Sequence, residues 1–196
     1  KNDRLPCPMA YGVSVSSPEG IICVGGMNKT GALDKVFRLR LKGNIIEIES
    51  LPDLPCRLDN MTGALWNNLL YIAGGNKDSI PCNDLYCLDL DDLLTGWKRL
   101  PDFPGTPRTQ SVSAVLLDVS GQPSFCLWGG FAPSKDNCQA SLSVDGYAYS
   151  FASGQWRTLP TPINAEGDTI SLGGGSAVAL SDSLLLCMGG VNKDIF

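Results

Sequence analysis

Four times along this chain an apolar run ends in two consecutive glycines. IICVGG closes at Gly25 and Gly26, LLYIAGG at Gly74 and Gly75, SFCLWGG at Gly129 and Gly130, and LLLCMGG at Gly189 and Gly190. The first glycines fall 49, 55 and 60 residues apart. Self-similarity at about 50 residues means one supersecondary unit repeated along the chain. Such a unit cannot bury its apolar faces alone and gains a core only by stacking on its neighbours.

More than the glycines repeats. After each of the first three pairs comes a second strand-like run carrying an aromatic residue: VFRLRL at residues 36–41, DLYCLDL at 84–90 and DGYAYSF at 145–151. A run ending in Leu-Pro follows: EIESLP, GWKRLP and QWRTLP. Ahead of each pair lies an alternating run of small and apolar residues: YGVSVS, TGALW, SVSAVLL and GGSAVAL. Four short strands with turn residues between them, here called a to d, describe one blade of an all-β propeller. The double glycine ends strand b, where a sharp turn and a close neighbour leave no room for a Cβ. Trp97 and Trp156 are expected to bury large areas in strand d. The first unit has no tryptophan there, so its strand d is the weakest of the three. DLDDLLTG at 89–96 reads as at most a single helical turn.

The double glycine, the strand c aromatics Phe37, Tyr86 and Tyr149, and the strand d tryptophans resemble the kelch family. This resemblance spans the chain and implies a kelch-type β-propeller. Blades are expected at 7–52, 53–101 and 102–160, with a half blade at 161–196. That makes about three and a half blades, roughly half of a larger ring. Fold alone does not settle function, because such propellers serve as enzymes and as binding scaffolds.

Composition narrows the classes. Hydrophobic residues at 43% and charged residues at 18% fit a folded β protein rather than a disordered one. A net charge of −5 with scattered Lys and Arg argues against nucleic acid as a partner. No apolar run approaches the ~20 residues of a membrane-spanning helix. Eight cysteines occur without a CxxC pair and without any histidine, which argues against zinc and leaves no metal or cofactor expected. The missing histidine also removes His-based triads and His general bases. Cys23, Cys126 and Cys187 read as small buried hydrophobes. Cys7 and Cys56 hold matching places in successive units, and a disulfide between them stays open beside the free-thiol reading. The sequence opens without an initiator Met or a recognisable signal peptide, so either a mature or a truncated start is expected.

In an up-and-down blade the d–a and b–c loops emerge on the same face, around the ring axis. The d–a loops carry PCRLDN (Arg57, Asn60), TPRTQ (Arg108, Gln110) and NAEGD; the b–c loops carry Asn28, Asn76 and Asn192. Arginine suits a carboxylate and side-chain amides suit hydroxyls, so these loops suggest a polyol or sugar-acid site. Arg108, between a proline and a strand start, is expected to point to the mouth. Asn28 and Asn76 also suit a left-handed turn, Arg57 a solvated loop charge, and Glu166 and Asp168 solvated loop acids.

Three segments carry a closer resemblance. FPGTPRTQSVSAVLL at 103–117 is similar to the FPGGPRDQ segment and following strand of bacterial N-acetylneuraminate (sialic acid) mutarotases. GGVNKDIF at 189–196 is similar to their GGVNQNIF. AYGVSV at 10–15 resembles their last blade, which here precedes the unit holding MTGALWNNLLYIAGG. The order resembles that of the cyclically permuted mutarotase family. The resemblance implies a six-bladed ring and exchange of sialic acid anomers by general acid–base ring opening, without a cofactor. It implies substrate contacts at Arg108, Gln110, Asn192 and Tyr11. The family's glutamate after a strand b glycine has no counterpart here, where Met27, Asn76, Phe131 and Val191 follow the pairs. The catalytic base therefore stays unassigned and is expected beyond Phe196, so the chain by itself is expected to be inactive. Met9 stands where the non-permuted enzymes carry an arginine. A kelch module that binds protein or sugar without catalysis, or an enzyme for another sugar, are the alternatives. The resemblance implies a periplasmic setting, whereas free cysteines suit a cytoplasm. A homo-oligomer is left open.

Overall fold

The computed structural model describes residues 4–133 and 140–191. The repeat there becomes a series of antiparallel meanders. The first sheet consists of strands a Val13–Ser17, b Gly20–Val24, c Val36–Lys42 and d Ile45–Ser50, hydrogen-bonded in chain order. The second consists of Thr62–Trp66, Leu69–Ala73, Leu85–Asp89 and Lys98–Leu100. The third consists of Val112–Leu117, Pro123–Trp128, Gly146–Ser150 and Trp156–Leu159. Strands a and b of a further unit, Ser176–Ala179 and Leu185–Met188, pair after them. The fold is thus all-β and blade-like.

The apolar core lies between sheets rather than inside one. Ile22, Val24, Leu58, Leu70, Ile72 and Leu88, all fully buried, pack the first sheet against the second. Tyr71, Leu85, Phe103, Phe125, Leu127 and Tyr149 pack the second against the third. Burying one such side chain is worth about 1.5–3 kcal/mol, so each interface supplies much of its neighbours' stability.

The double glycine follows from this stacking. The first glycine of each pair has a left-handed φ, +54° at Gly25 and +62° at Gly74. A Cβ there would lie 2.7 Å from the Leu58 carbonyl oxygen and 2.8 Å from that of Arg108, both in the next unit's d–a loop. The second glycine donates its N–H to those carbonyls: Gly26 to Leu58 and Gly75 to Arg108, with Gly130 to Leu172 completing the series. One dipeptide therefore ends a strand and joins it to the neighbouring blade.

The tryptophans act differently from a simple burial role. Both are half-buried. Each reaches back one blade: Trp97 Nε1 donates to the Pro52 carbonyl at 2.9 Å, and Trp156 Nε1 to the Pro101 carbonyl at 2.7 Å. The first sheet, without a tryptophan, nevertheless has the longest strand d of the three. It pairs continuously from Phe37 opposite Ser50 to Lys42 opposite Ile45, with the turn closed at Gly43 (φ 61°). The weak strand expected there is corrected: continuous backbone pairing holds it. Residues 89–96 contain a turn and no helix.

Candidate functional site

Each unit ties its d–a loop to the residue after its double glycine. Ala10 pairs with Met27, Asp59 with Asn76, Thr109 with Phe131 and Gly173 with Val191. These four pairs align the units in space. The next residues, Tyr11, Asn60, Gln110 and Gly174, are therefore equivalent. All four have left-handed backbone, at φ 57°, 54°, 55° and 69°. Left-handed conformations in non-glycine residues cost about 1–2 kcal/mol each and gather at functional sites. The four are also linked in sequence by their backbones. Asn60 N–H donates to the Tyr11 carbonyl at 2.8 Å, Gln110 to Asn60 at 2.7 Å, and Gly174 to Gln110 at 2.9 Å.

This arc frames a cavity of about 370 Å³, lined by the four residues and the strand a residues that follow each. The volume falls within the range of small-ligand pockets. Its wall is neutral and polar. Ser14, Thr62, Ser111, Ser113 and Ser176 line it with hydroxyls, and Asn60 and Gln110 with amides. The Thr62 and Ser113 hydroxyls share a 2.6 Å hydrogen bond between neighbouring strands a. No Asp, Glu, Lys or Arg lines the cavity among the described residues. Such a wall can recognise hydroxyl and amide groups, but it offers no carboxylate base and no cation.

The amides are held in a line. Asn60 Nδ2 donates to Asp59 Oδ1 at 2.6 Å, and Asn76 Nδ2 donates to the same oxygen at 2.8 Å. Gln110 Nε2 donates to Asn60 Oδ1 at 2.8 Å. Asp59 itself is buried behind the wall.

Of the residues expected at the site, Tyr11, Asn60 and Gln110 come together on this arc. Asn76 stands behind it, in an extended pair with Asp59, and supports the site through that carboxylate. Neither Asn76 nor Asn28 has a left-handed φ; that conformation falls on the glycines and on Asp78 and Ser79. Arg57 is exposed and outside the cavity. Asn192 lies outside the described residues. Glu166 and Asp168 sit on an exposed turn, where the Asn164 side-chain oxygen accepts from the Asp168 N–H at 2.7 Å.

Arg108 is the main correction. Its side chain does not point to the mouth: the residue is 2% exposed and wedged between two blades. Its guanidinium grips Asp145 with both ends, Nη1 to Oδ1 at 2.6 Å and Nη2 to Oδ2 at 3.0 Å. Nε donates to the Thr106 carbonyl at 2.9 Å. The Phe103 and Tyr147 rings flank it at 5.7 and 5.8 Å. Burial pushes the Asp145 carboxyl up, but hydrogen bonds from Arg108 and Tyr147 and the Arg108 charge outweigh this and hold it below its ordinary value. The equivalent position in the second blade is Leu58, also fully buried. Arg108 thus fills an inter-blade wedge.

Sequence reasoning missed Gly174 and the strand a hydroxyls. It placed the fourth mouth loop at NAEGD, which instead folds on itself, with Ile163 bridging Thr169. Aligning LDN, RTQ and LGG backward from strand a would have found Gly174 and set Arg108 opposite Leu58. Seven cysteines are free thiols, including Cys7 and Cys56; Cys138 lies outside the described residues. Burial pushes the thiols of Cys82, Cys87 and Cys126 up to about 11 each.

Comparison with known proteins agrees with this architecture. The family model for N-acetylneuraminate epimerase matches residues 51–196. The N-acetylneuraminate epimerase of Yersinia enterocolitica is 34% identical over 149 residues, covering 76% of this chain and 34% of the relative. That of Salmonella enteritidis is 34% identical over 152 residues, covering 75% and 35%. The chain therefore spans about a third of the length of these curated relatives. Among solved structures, that of YjhT superposes with a TM-score of 0.58 at 26% identity, covering 74% of this chain and 38% of YjhT.

Proposed function

The chain belongs to the N-acetylneuraminate epimerase family, and from that premise we propose that it forms part of the sugar-binding wall of a sialic acid mutarotase. The observation that carries this reading is the arc of Tyr11, Asn60, Gln110 and Gly174 around one neutral, hydroxyl-lined cavity. N-acetylneuraminate presents many hydroxyls and an amide, and side-chain amides and hydroxyls can both give and accept hydrogen bonds to them. Three of the four positions hold strained non-glycine residues, a cost that a purely structural arc could avoid with glycine.

In the proposed reaction a base takes the proton of the anomeric hydroxyl while the ring oxygen is protonated. The ring opens to the keto form, the C–C bond turns, and the ring closes on the other face. The described part of the cavity would bind and orient the sugar through this sequence. The proton-transfer group and the cation for the sugar carboxylate would come from outside the described residues. The match begins at residue 51, so the first blade falls outside it, which supports a permuted order; a six-bladed ring is part of the same proposal.

The test is proton NMR of freshly dissolved α-N-acetylneuraminate with the full-length protein, beside the 196-residue chain. The reading expects anomeric relaxation faster than buffer for the full-length protein only. Acceleration by the chain alone would return Glu166 and Asp168 to consideration as bases. No acceleration by either would favour a binding module without catalysis.

A further inference from the structure

The polar residues on the arc are not free to choose their polarity. Asp59 is buried, and a carboxylate accepts hydrogen bonds without donating. Its Oδ1 takes an N–H from Asn60 and another from Asn76. The Asn60 amide must therefore turn its NH₂ toward Asp59 and its oxygen toward the cavity side. That oxygen accepts from Gln110 Nε2. The Gln110 amide is in turn fixed, and its Oε1 is the end that remains. Each bond polarises the next in the same direction.

Gln110 Oε1 faces Gly174. A Cβ built on Gly174 would lie 3.1 Å from this oxygen and 3.7 Å from Cε2 of Phe131. Any side chain there would cover the oxygen, and the left-handed φ of 69° disfavours one. Among the described residues, no donor reaches Gln110 Oε1. The arc thus ends in an uncovered acceptor beside a gap where the other three units carry side chains.

We propose that Asp59, Asn60 and Gln110 form a polarity relay presenting Gln110 Oε1 as an acceptor over the gap at Gly174, making this corner the subsite for a hydrogen-bond donor of the sugar acid. This rests on the family reading given above. The donor is a hydroxyl or the amide N–H of the sugar. The carboxylate is excluded from this corner, because two acceptors would face each other with no cation on the described wall. Asp59 acts as a positioning residue, reaching the sugar only through Asn60 and Gln110.

The test uses steady-state anomer exchange of N-acetylneuraminate by the full-length protein, with direct binding of the same sugar measured by calorimetry. Gln110→Ala is expected to raise KM and Kd about 10- to 100-fold with little change in kcat. Asp59→Asn, which lets the Asn60 amide turn either way, is expected to raise KM by at least about fivefold on the same scale. The double variant should be no weaker than Gln110→Ala alone, because both act through one oxygen. Where Asp59→Asn fails to fold by circular dichroism, Asn60→Ala cuts the relay at the cavity surface and gives the same reading. An unchanged KM in Gln110→Ala, or effects that multiply in the double variant, would overturn the relay while leaving the family reading intact. A wild-type protein that neither binds nor turns over the sugar would overturn both.

Discussion

Removing the Asp145 carboxylate is the sharpest test of the role the structure gives Arg108. The Arg108 side chain is 2% exposed, so Asp145→Ala leaves a buried cation without its anion. Two carbonyls, of Thr106 and Gly129, would remain as its partners. Breaking one member of a fully buried pair costs about 3–5 kcal/mol. The Asp145 side chain is 37% exposed, so water can partly replace it, and the lower end applies: about 3 kcal/mol. That is a factor of roughly 150 in the folding equilibrium, and a fall in Tm of about 6–12 °C for a chain of this size. Thermal and urea unfolding would measure it. The double variant Arg108→Met, Asp145→Ala is expected to recover much of the loss, since Leu58 already fills the equivalent wedge with an apolar side chain. Sugar affinity should move little in variants that stay folded. The reasoning is refuted if Asp145→Ala costs under about 1 kcal/mol while Arg108→Met abolishes sugar binding. Arg108 would then be the carboxylate holder that its loop position suggested.

Other outcomes follow from the same geometry. Gly74→Ala should lower stability by about 2 kcal/mol or more, from its left-handed φ and the nearby Arg108 carbonyl, as read by urea unfolding. Tyr11→Gly should leave stability unchanged or raise it by about 1 kcal/mol, while calorimetry shows weaker sugar binding, since Tyr11 is exposed and strained at φ 57°. Asp145 titrates below its unfolded value, so its contribution to stability is complete above that value, about pH 4, and is lost as pH falls further. The stability difference between wild type and Asp145→Asn should therefore shrink in acid titrations below about pH 4.

The parts of this molecule legible from sequence are those where physics leaves one residue type. The first three double glycines combine a left-handed turn with a neighbour's carbonyl against the missing Cβ, so they recur visibly and set the blade count. The small residues of strand a also show, because neighbouring strands crowd there. Arg108 misleads in the sequence because the chain states its charge but not its neighbour: Asp145 is 37 residues away. The d–a loops differ in length, so the equivalence of Tyr11, Asn60, Gln110 and Gly174 shows in sequence only when the loops are aligned backward from strand a, and the backbone bridges fix it. Gly174 carries no side chain to attract notice. Asn76 stands out in the sequence only by residue type, and its role, steadying Asp59, depends on a pairing between two loops.

The most direct test of the account is a structure of the full-length protein with N-acetylneuraminate bound. The account predicts the sugar within the arc of Tyr11, Asn60, Gln110 and Gly174, with a donor group on Gln110 Oε1 and Arg108 still gripping Asp145. A sugar bound elsewhere, or Arg108 released from Asp145 to hold the sugar carboxylate, would contradict it.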